Sequence, residues 1–267
     1  MTRSPARRRL MVLGAGLFQL AGISRALQSG CDVVSVDNVP ANPGHRLVRE
    51  SVNISTTDVA AVVELATQRA VDGIVTFASD IATPSVAAAR AMLGLPGPSV
   101  DVVATTIDKS RFRKFQAEAG LPHPRFACLS ADDPSPPSFE GWVWPLIVKP
   151  VDSSGSRGVV RVEDPDHLDA AVATATEQSR SGRVVVEEFV AGTEVGGDLF
   201  LVDGEVVSLA ITNKHLRGFV VTGHSLPSAL DPASQRAVVA ALTETCRRIG
   251  LAAGPVNFDV MVDPVSY

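Results

Sequence analysis

The sequence predicts an α/β lobe followed by strand-rich α+β structure. Three observations carry that expectation: strands alternate with helices in the first hundred residues, a glycine turn joins the first such pair, and Asp203-Gly204 marks a hairpin between apolar runs. Arg9 to Leu13 forms a short apolar run ending in Gly14-Ala15-Gly16. Phe18 to Leu27 then carries helical apolar spacing, and Asp32 to Val36 is a second run ending in Asp37. The pattern continues with a helix over Val59 to Ala70, a buried strand over Gly73 to Phe77 and a helix over Pro84 to Leu93. Such alternation implies a parallel sheet covered on both faces.

Leu95-Pro96-Gly97-Pro98 is a hard stop, and Asp108 to Ala119 is a charged amphipathic helix closed by Gly120 and Pro122. Asp132 to Gly141, with Pro134, Pro136 and Pro137, reads as an exposed loop between two strands. Beyond it the sequence predicts a strand over Leu146 to Lys149, a glycine-serine loop over Ser153 to Gly158 and a strand over Val159 to Val162. A helix over Asp164 to Arg180 and a strand over Val184 to Val190 follow. The remainder reads as antiparallel strands, a helix over Pro232 to Ile249 and a last strand over Val256 to Val262.

With 267 residues, 45% of them hydrophobic, the chain is long enough for more than one core. A net charge of -5 argues against nucleic acid as a partner. Cys31, Cys128 and Cys246 are expected to be buried thiols in a reducing, cytoplasmic setting. Arg7, Arg8 and Arg9 before an apolar run imitate a secretory signal, but Gly14 and Gly16 suit a strand-to-turn junction better. No segment approaches the roughly 20 apolar residues of a membrane helix, so no membrane association is expected.

Two glycine-rich segments invite chemistry. Gly14-Ala15-Gly16 with Asp37 is part of a dinucleotide fingerprint, yet Gln19 stands where the third glycine belongs, and a tight turn is the preferred reading. The run Lys149-Pro150-Val151-Asp152-Ser153-Ser154-Gly155-Ser156-Arg157-Gly158-Val159 lies between two strands. Backbone N–H groups freed by glycine make a concave anion site, and the lysine supplies a point charge for phosphate. No Gly-Lys-Ser/Thr follows, which disfavours a Walker A loop. Glu187, Glu188 and Glu194 lie in a strand running into a turn, either as a functional cluster or with Glu187 and Glu188 as the solvated face of an edge strand. Asn257, Asp259, Met261 and Asp263 share one face of the last strand, where an acid can hold Mg2+ or simply face solvent.

In order and spacing, Asp108-Lys109, Val148-Lys149-Pro150, the Ser153 to Val159 loop, Val186 to Glu194 and Asn257 to Asp263 resemble the ATP-grasp superfamily. The first lobe, with Val12 to Gly16, Val36-Asp37, Phe77 to Asp80 and Gly94 to Gly97, resembles the pre-ATP-grasp domain of carbamoyl-phosphate-synthase-like and amino-acid-ligase-like members. The resemblance implies a Rossmann-like domain over residues 1–105, an ATP-grasp subdomain over 106–185 and a second over 186–267. It implies that Lys109 and Lys149 contact ATP phosphates beneath a loop of Ser153, Ser154, Gly155, Ser156 and Gly158. Glu187 would meet the adenine amino group, the Glu188, Phe189 and Val190 backbone would line the base, and Glu194 would hold the ribose. Asp259 would bind Mg2+, and Lys214, Arg217 and His224, with His215, would face an acceptor pocket. The implied function is an ATP-dependent carboxylate–amine ligase using an acyl phosphate, acting on a small carboxylate and a small amine, in the cytoplasm, with a homodimer as the candidate assembly.

The family pattern also has a second metal acid and an asparagine on a strand after Asp259, whereas the sequence ends at Tyr267. The resemblance therefore leaves the second subdomain incomplete at its C-terminus. Two alternatives stand beside the ligase: a catalytically impaired nucleotide-binding remnant or regulatory protein, and an NAD-binding Rossmann protein using Gly14 and Asp37.

Overall fold

The computed structural model describes residues 7–130 and 137–263. The first part of the proline-bearing loop, through Pro136, and Tyr267 lie outside the described residues. The chain divides into two compact units, Met1–Ala104 and Thr105–Tyr267.

In the first unit, β1 (Arg9–Leu13), β2 (Asp32–Val36), β3 (Glu50–Val52) and β4 (Gly73–Thr76) form a parallel sheet in the order β3-β2-β1-β4. The near-continuous apolar runs are explained by burial on both faces. Met11, Leu13, Val34, Val36 and Ile74 pack with residues of α2 (Val59–Gln68) and α3 (Thr83–Leu93), while Val12 and Val33 pack with Ile23 and Ala26 of α1 (Leu20–Gln28). Asp58 caps α2 by accepting a hydrogen bond from the Ala61 N–H, and Gly94 ends α3 in the left-handed conformation.

Two elements have no clear signature in the sequence. β3 is only three residues long and rests on pairing with β2. α4 (Val100–Ile107) is rich in β-branched residues, which have low intrinsic helix preference.

The second unit holds two antiparallel sheets. The first, in the order β5-β8-β6-β7, contains β5 (Phe126–Leu129), β6 (Leu146–Pro150), β7 (Val160–Val162) and β8 (Val184–Glu188). Its two faces differ. Leu146, Val148, Val184 and Val186 bury against Ala171 and Ala175 of α6 (Leu168–Gln178), while the alternate residues Ile147, Lys149, Val185 and Glu187 face the other way, where α5 (Lys109–Glu118) packs on β8. The predicted helix over Asp164 to Arg180 opens with a 3-10 turn, Pro165–His167, capped by Asp164.

The other sheet has the order β11-β10-β9-β12, from β9 (Thr193–Val202), β10 (Glu205–Arg217), β11 (Val220–Ser225) and β12 (Gly254–Val262). Asp203 and Gly204 make the β9–β10 turn with φ of 51° and 84°, the paired positive values of a two-residue hairpin turn. α7 (Pro232–Ile249) covers this sheet through Val238, Leu242 and Cys246. Its ends follow the capping rules, with Asp231 accepting from Ala233 and Ser234 N–H groups and Gly250 left-handed.

All three cysteines are free, but only Cys246 is buried. Cys31 lies just before β2 and Cys128 on the edge strand β5, which leaves both half-buried, contrary to expectation. Among the described residues, no helix is long and apolar enough to cross a membrane.

β9 is sandwiched so closely that Gly197 has no room for a side chain: a Cβ there would lie 1.9 Å from the Ala210 carbonyl oxygen and 2.8 Å from the Phe258 ring. Gly197→Ala is expected to destabilise the protein by about 1–3 kcal/mol, the usual range for overpacking. A chemical-denaturation midpoint equal to wild type would refute that account of β9.

Candidate nucleotide-binding site

The second unit brings five of the sequence-predicted site residues, Lys149, Glu187, Glu194, Lys214 and Asp259, into two charged clusters. The first forms on the α5-facing side of the β5-β8-β6-β7 sheet. β8 is an interior strand, so Glu187 is 5% exposed, and the alternative of a solvated edge strand is overturned. Its neighbour diagonally across the β6–β8 ladder is Lys149, whose Nζ donates to Glu187 Oε2 at 2.7 Å. From α5, Arg113 Nε donates to Glu187 Oε1 at 2.8 Å, with its Nη2 at 3.4 Å from Oε2. One buried carboxylate thus serves two cations.

The electrostatics follow from that count. Burial works to raise the Glu187 carboxyl, but Lys149 and Arg113 together hold it below its ordinary value of 4.5. For Lys149, burial is the dominant influence and pulls its ammonium below the usual lysine range, against the opposing pull of Glu187. Sequence reasoning misses Arg113. Its signal is the i, i+4 spacing from Lys109 on a charged helix, which puts both on one face.

Lys109 is the first residue of α5, and its position is set by the cap before it. Asp108 accepts from the Ser110 and Arg111 N–H groups and also pairs with Arg183. Burial would raise the Asp108 carboxyl, yet Ser110 and Arg183 bring it lower than usual. The Lys109 N–H donates to Val151 O at 3.0 Å and its Nζ to Ser153 O at 2.6 Å, tying α5 to the start of the glycine-serine loop.

Within that loop Gly155, Ser156 and Gly158 all have positive φ, of 67°, 58° and 71°. Ser156 is unusual there, since a non-glycine side chain in this region carries strain. Ser153 Oγ donates to Gln178 O, Ser156 Oγ donates to Phe219 O at 2.6 Å, and the Ser154 carbonyl accepts from Arg157. Past β8, the Phe189 N–H donates to Pro145 O and the Phe189 ring lies under the Arg161 guanidinium at 4.4 Å. Glu188 accepts from the Val143 N–H at 2.9 Å, so its carboxylate is turned to the Trp142 segment and away from the Glu187 cluster. Val190 is half-buried.

The second cluster spans three strands. Lys214 on β10 donates to Glu194 Oε1 on β9 at 2.5 Å and to Asp259 Oδ1 on β12 at 2.8 Å. β9 lies between the other two strands, and the crossing is open because Gly196 lies opposite Asp259. A Cβ at Gly196 would meet Asp259 Oδ1 at 2.8 Å and Lys214 Cδ at 3.2 Å. Burial works against the Lys214 charge, but Asp259 and Glu194 outweigh it and raise its pKa. His224 is opposite Lys214 in the β10–β11 ladder, and its Nδ1 shares a hydrogen bond with Thr212 Oγ1 at 2.8 Å. His215 and Arg217 are exposed toward the end of β10. Neither joins the lysine cluster.

The described residues contain no group of three or more His, Cys, Asp or Glu side chains placed to hold a metal. Asp259, 63% exposed at its side chain, is available as one oxygen donor, on condition that Lys214 releases it.

The dinucleotide alternative meets a different arrangement. Asp37 Oδ2 accepts from the Ala15 N–H at 2.8 Å and Oδ1 from the Val39 N–H at 2.9 Å, so this carboxylate braces the Gly14 turn. Gln19 is buried against Gly14 and donates to Phe77 O.

Glu187→Gln leaves two cations sharing no anion, so it should lower stability at neutral pH by up to about 3 kcal/mol. Because the folded-state pKa of Glu187 is depressed, its contribution is present above the unfolded value and disappears as pH falls through the lower folded one. The wild-type advantage over the variant should therefore shrink on acidification below about pH 4.5. Urea midpoints measured across that range test this, and a gap that stays constant would contradict it.

The family model for the ATP-grasp domain matches residues 142–266. Formate-dependent phosphoribosylglycinamide formyltransferase from Bordetella avium is 30% identical over 192 residues, 70% of this chain and 47% of the relative. The same enzyme from Thioalkalivibrio sulfidiphilus is 31% identical over 70% of this chain and 48% of its own length. The chain thus spans about half the length of these relatives. Among solved structures, L-amino acid ligase from Bacillus licheniformis superposes with a TM-score of 0.78 at 24% identity, covering 98% of this chain and 65% of that one. Phosphoribosylglycinamide synthetase from Anaerococcus prevotii gives 0.76 at 18% identity, covering 97% and 65%. Residues 142–266 thus form an ATP-grasp domain, and the chain shares its mixed parallel and antiparallel fold with these solved structures.

Proposed function

We propose that this chain is the nucleotide-binding portion of an ATP-dependent carboxylate–amine ligase that works through an acyl phosphate. The observation that carries the proposal is the convergence of Lys109, Lys149 and the Ser153 to Gly158 loop: Lys109 is tied to Ser153, and Lys149 is the penultimate residue of the strand that feeds the loop. The similarity to phosphoribosylglycinamide formyltransferases and to an L-amino acid ligase supports the reaction class.

In this reading ATP lies across the two clusters. Lys149 exchanges Glu187 for a phosphate oxygen, while Arg113 stays on Glu187 and keeps it ionised and fixed. Positively placed donors and loop amides stabilise charge on the transferring group, which is most of what a protein supplies to phosphoryl transfer. Glu194 exchanges Lys214 for the ribose hydroxyls, and the backbone from Glu188 to Val190 lines the base. Mg2+, when bound with the nucleotide, would neutralise phosphate charge with Asp259 as its protein donor.

The chemistry balances as two displacements. A carboxylate oxygen attacks the γ-phosphorus and ADP leaves. An amine nitrogen then attacks the acyl carbon, inorganic phosphate leaves, and the nitrogen gives up a proton. His224, held by Thr212, is the residue we assign to take that proton, with Lys214 and Arg217 on the same acceptor side. Closure of the Ser153 to Gly158 loop would keep water from the acyl phosphate.

Lys149→Ala should weaken ATP binding roughly 10- to 100-fold, the loss expected for a charge-assisted contact. Asp37→Ala should leave it unchanged. ADP release measured across a panel of small carboxylates with and without amines tests the ligase, and its absence with every pair would sink that reading. A proton-accepting His224 predicts that His224→Ala slows amide formation while ADP formation in single-turnover mixtures persists.

A further inference from the structure

A concave site in the first unit takes no part in the function proposed above. It is a cavity of about 460 Å3 lined by Arg7, Arg9, Arg49, Arg69, Asp32 and Asp72. Arg9 and Asp32 are register partners at the first residues of β1 and β2, and Asp72 immediately precedes β4, so the cavity lies at the amino edge of the parallel sheet. The Gly14 turn and Asp37 follow the other ends of β1 and β2. Ligands of doubly wound sheets sit at the carboxyl edge. This cavity is therefore not the crevice in which such a sheet would be expected to take a nucleotide.

Part of the charge has an internal explanation. Arg9 pairs with Asp32 at 2.9 Å and donates to the Arg69 carbonyl, and Arg69 pairs with Glu50. The carbonyl end of α2 favours cations nearby. Both acids lining the cavity are engaged as well: Asp32 by the Arg9 side chain, and Asp72, whose Oδ2 accepts from the Arg9 N–H at 2.7 Å.

Arg7 and Arg49 are different. Both are exposed, and neither has an ion pair or side-chain hydrogen bond among the described residues. Four guanidinium groups against Asp32, Asp72 and the Glu50 that pairs with Arg69 leave a local excess of positive charge in a chain whose net charge is -5. Concentrating arginines in one concavity costs mutual repulsion that an anion would relieve. The planar guanidinium fork matches the oxygens of phosphate in a bidentate manner. The volume falls within the roughly 300–1,000 Å3 range of small-molecule sites, whereas nucleic acid calls for an extended basic stripe.

We propose that this cavity is a second ligand site, separate from the nucleotide clusters, which binds a small phosphate-type oxyanion through Arg7 and Arg49. The anion is either free in solution or the phosphoryl group of a small metabolite. The basic run at Arg7 to Arg9, which superficially imitates a secretory signal, then has a use in the folded protein: Arg9 opens β1 and Arg7 faces the cavity.

The test is calorimetric titration of pyrophosphate, inorganic phosphate and glycerol 3-phosphate into the full chain. The Lys149→Ala protein serves as background, so that binding at the second unit's lysine is suppressed. One saturable event is expected for at least one probe. It should weaken as NaCl rises and weaken at least tenfold when Arg7→Ala and Arg49→Ala are added. Tightest binding by glycerol 3-phosphate would assign a phosphorylated metabolite, and tightest binding by the inorganic probes a free anion. The added substitutions remove no ion pair or side-chain hydrogen bond among the described residues, so an unchanged thermal unfolding midpoint is expected and separates lost binding from lost folding. Absence of a saturable event, isotherms that coincide with and without the two arginines, or binding of an oligonucleotide with none of the small probes would each overturn the proposal.

Discussion

The arrangement of the second unit depends on the ionised carboxylate of Glu187, buried in the middle of a four-stranded sheet. An unpaired carboxylate there would be prohibitively costly, because burial penalises its charged form. Two cations from different elements remove that cost: Lys149 from the neighbouring strand and Arg113 from α5. The same requirement fixes three pieces of structure relative to one another. α5 must present Arg113 over β8, which places Lys109 at the start of the glycine-serine loop. β6 must run beside β8 with Lys149 on the α5 side, so the lysine that feeds the loop points away from the apolar α6 face.

A comparable logic organises the other sheet with a lysine at its centre. Lys214 is nearly enclosed, and its charge is sustained by Glu194 and Asp259 from the two strands beyond it. Its reach across β9 depends on Gly196, so a residue without a side chain is as necessary to the cluster as the three charged groups. In both clusters each charged group already has a partner. An incoming nucleotide or cation would exchange ion pairs rather than enter an empty site, and the ligand's charge would replace an existing interaction of similar kind.

Much of this arrangement is legible in the amino-acid sequence. The alternation of apolar runs identifies the parallel sheet, Asp203-Gly204 marks the hairpin, and Pro232 with Gly250 bounds α7, since each of these is a local signal. Lys149 stands out because it precedes a glycine-rich loop, and Asp259 because it alternates with Phe258 and Val260. Arg113 is legible only as a charge one helical turn from Lys109. It lies among several charges on α5, and only the docking of that helix decides which one is buried. Gly196 is equally hidden, because a glycine in a strand reveals its role only when Lys214 and Asp259 arrive from strands distant in sequence. Glu187 illustrates the ambiguity itself: the motif is compatible with a solvated edge, and the insertion of β8 between β5 and β6 settles its burial. Asp37 suits a ribose by position, but in the folded chain its oxygens face the Ala15 and Val39 amides.

The central claim is that the charged clusters of the second unit, rather than the Gly14 turn of the first, receive a nucleotide. Thermal unfolding of the full chain with MgATP and, separately, with NAD tests it most directly, since a ligand that binds the native state raises its apparent stability by mass action. A concentration-dependent rise in Tm with MgATP and none with NAD is the predicted result. Stabilisation by NAD alone would contradict the account.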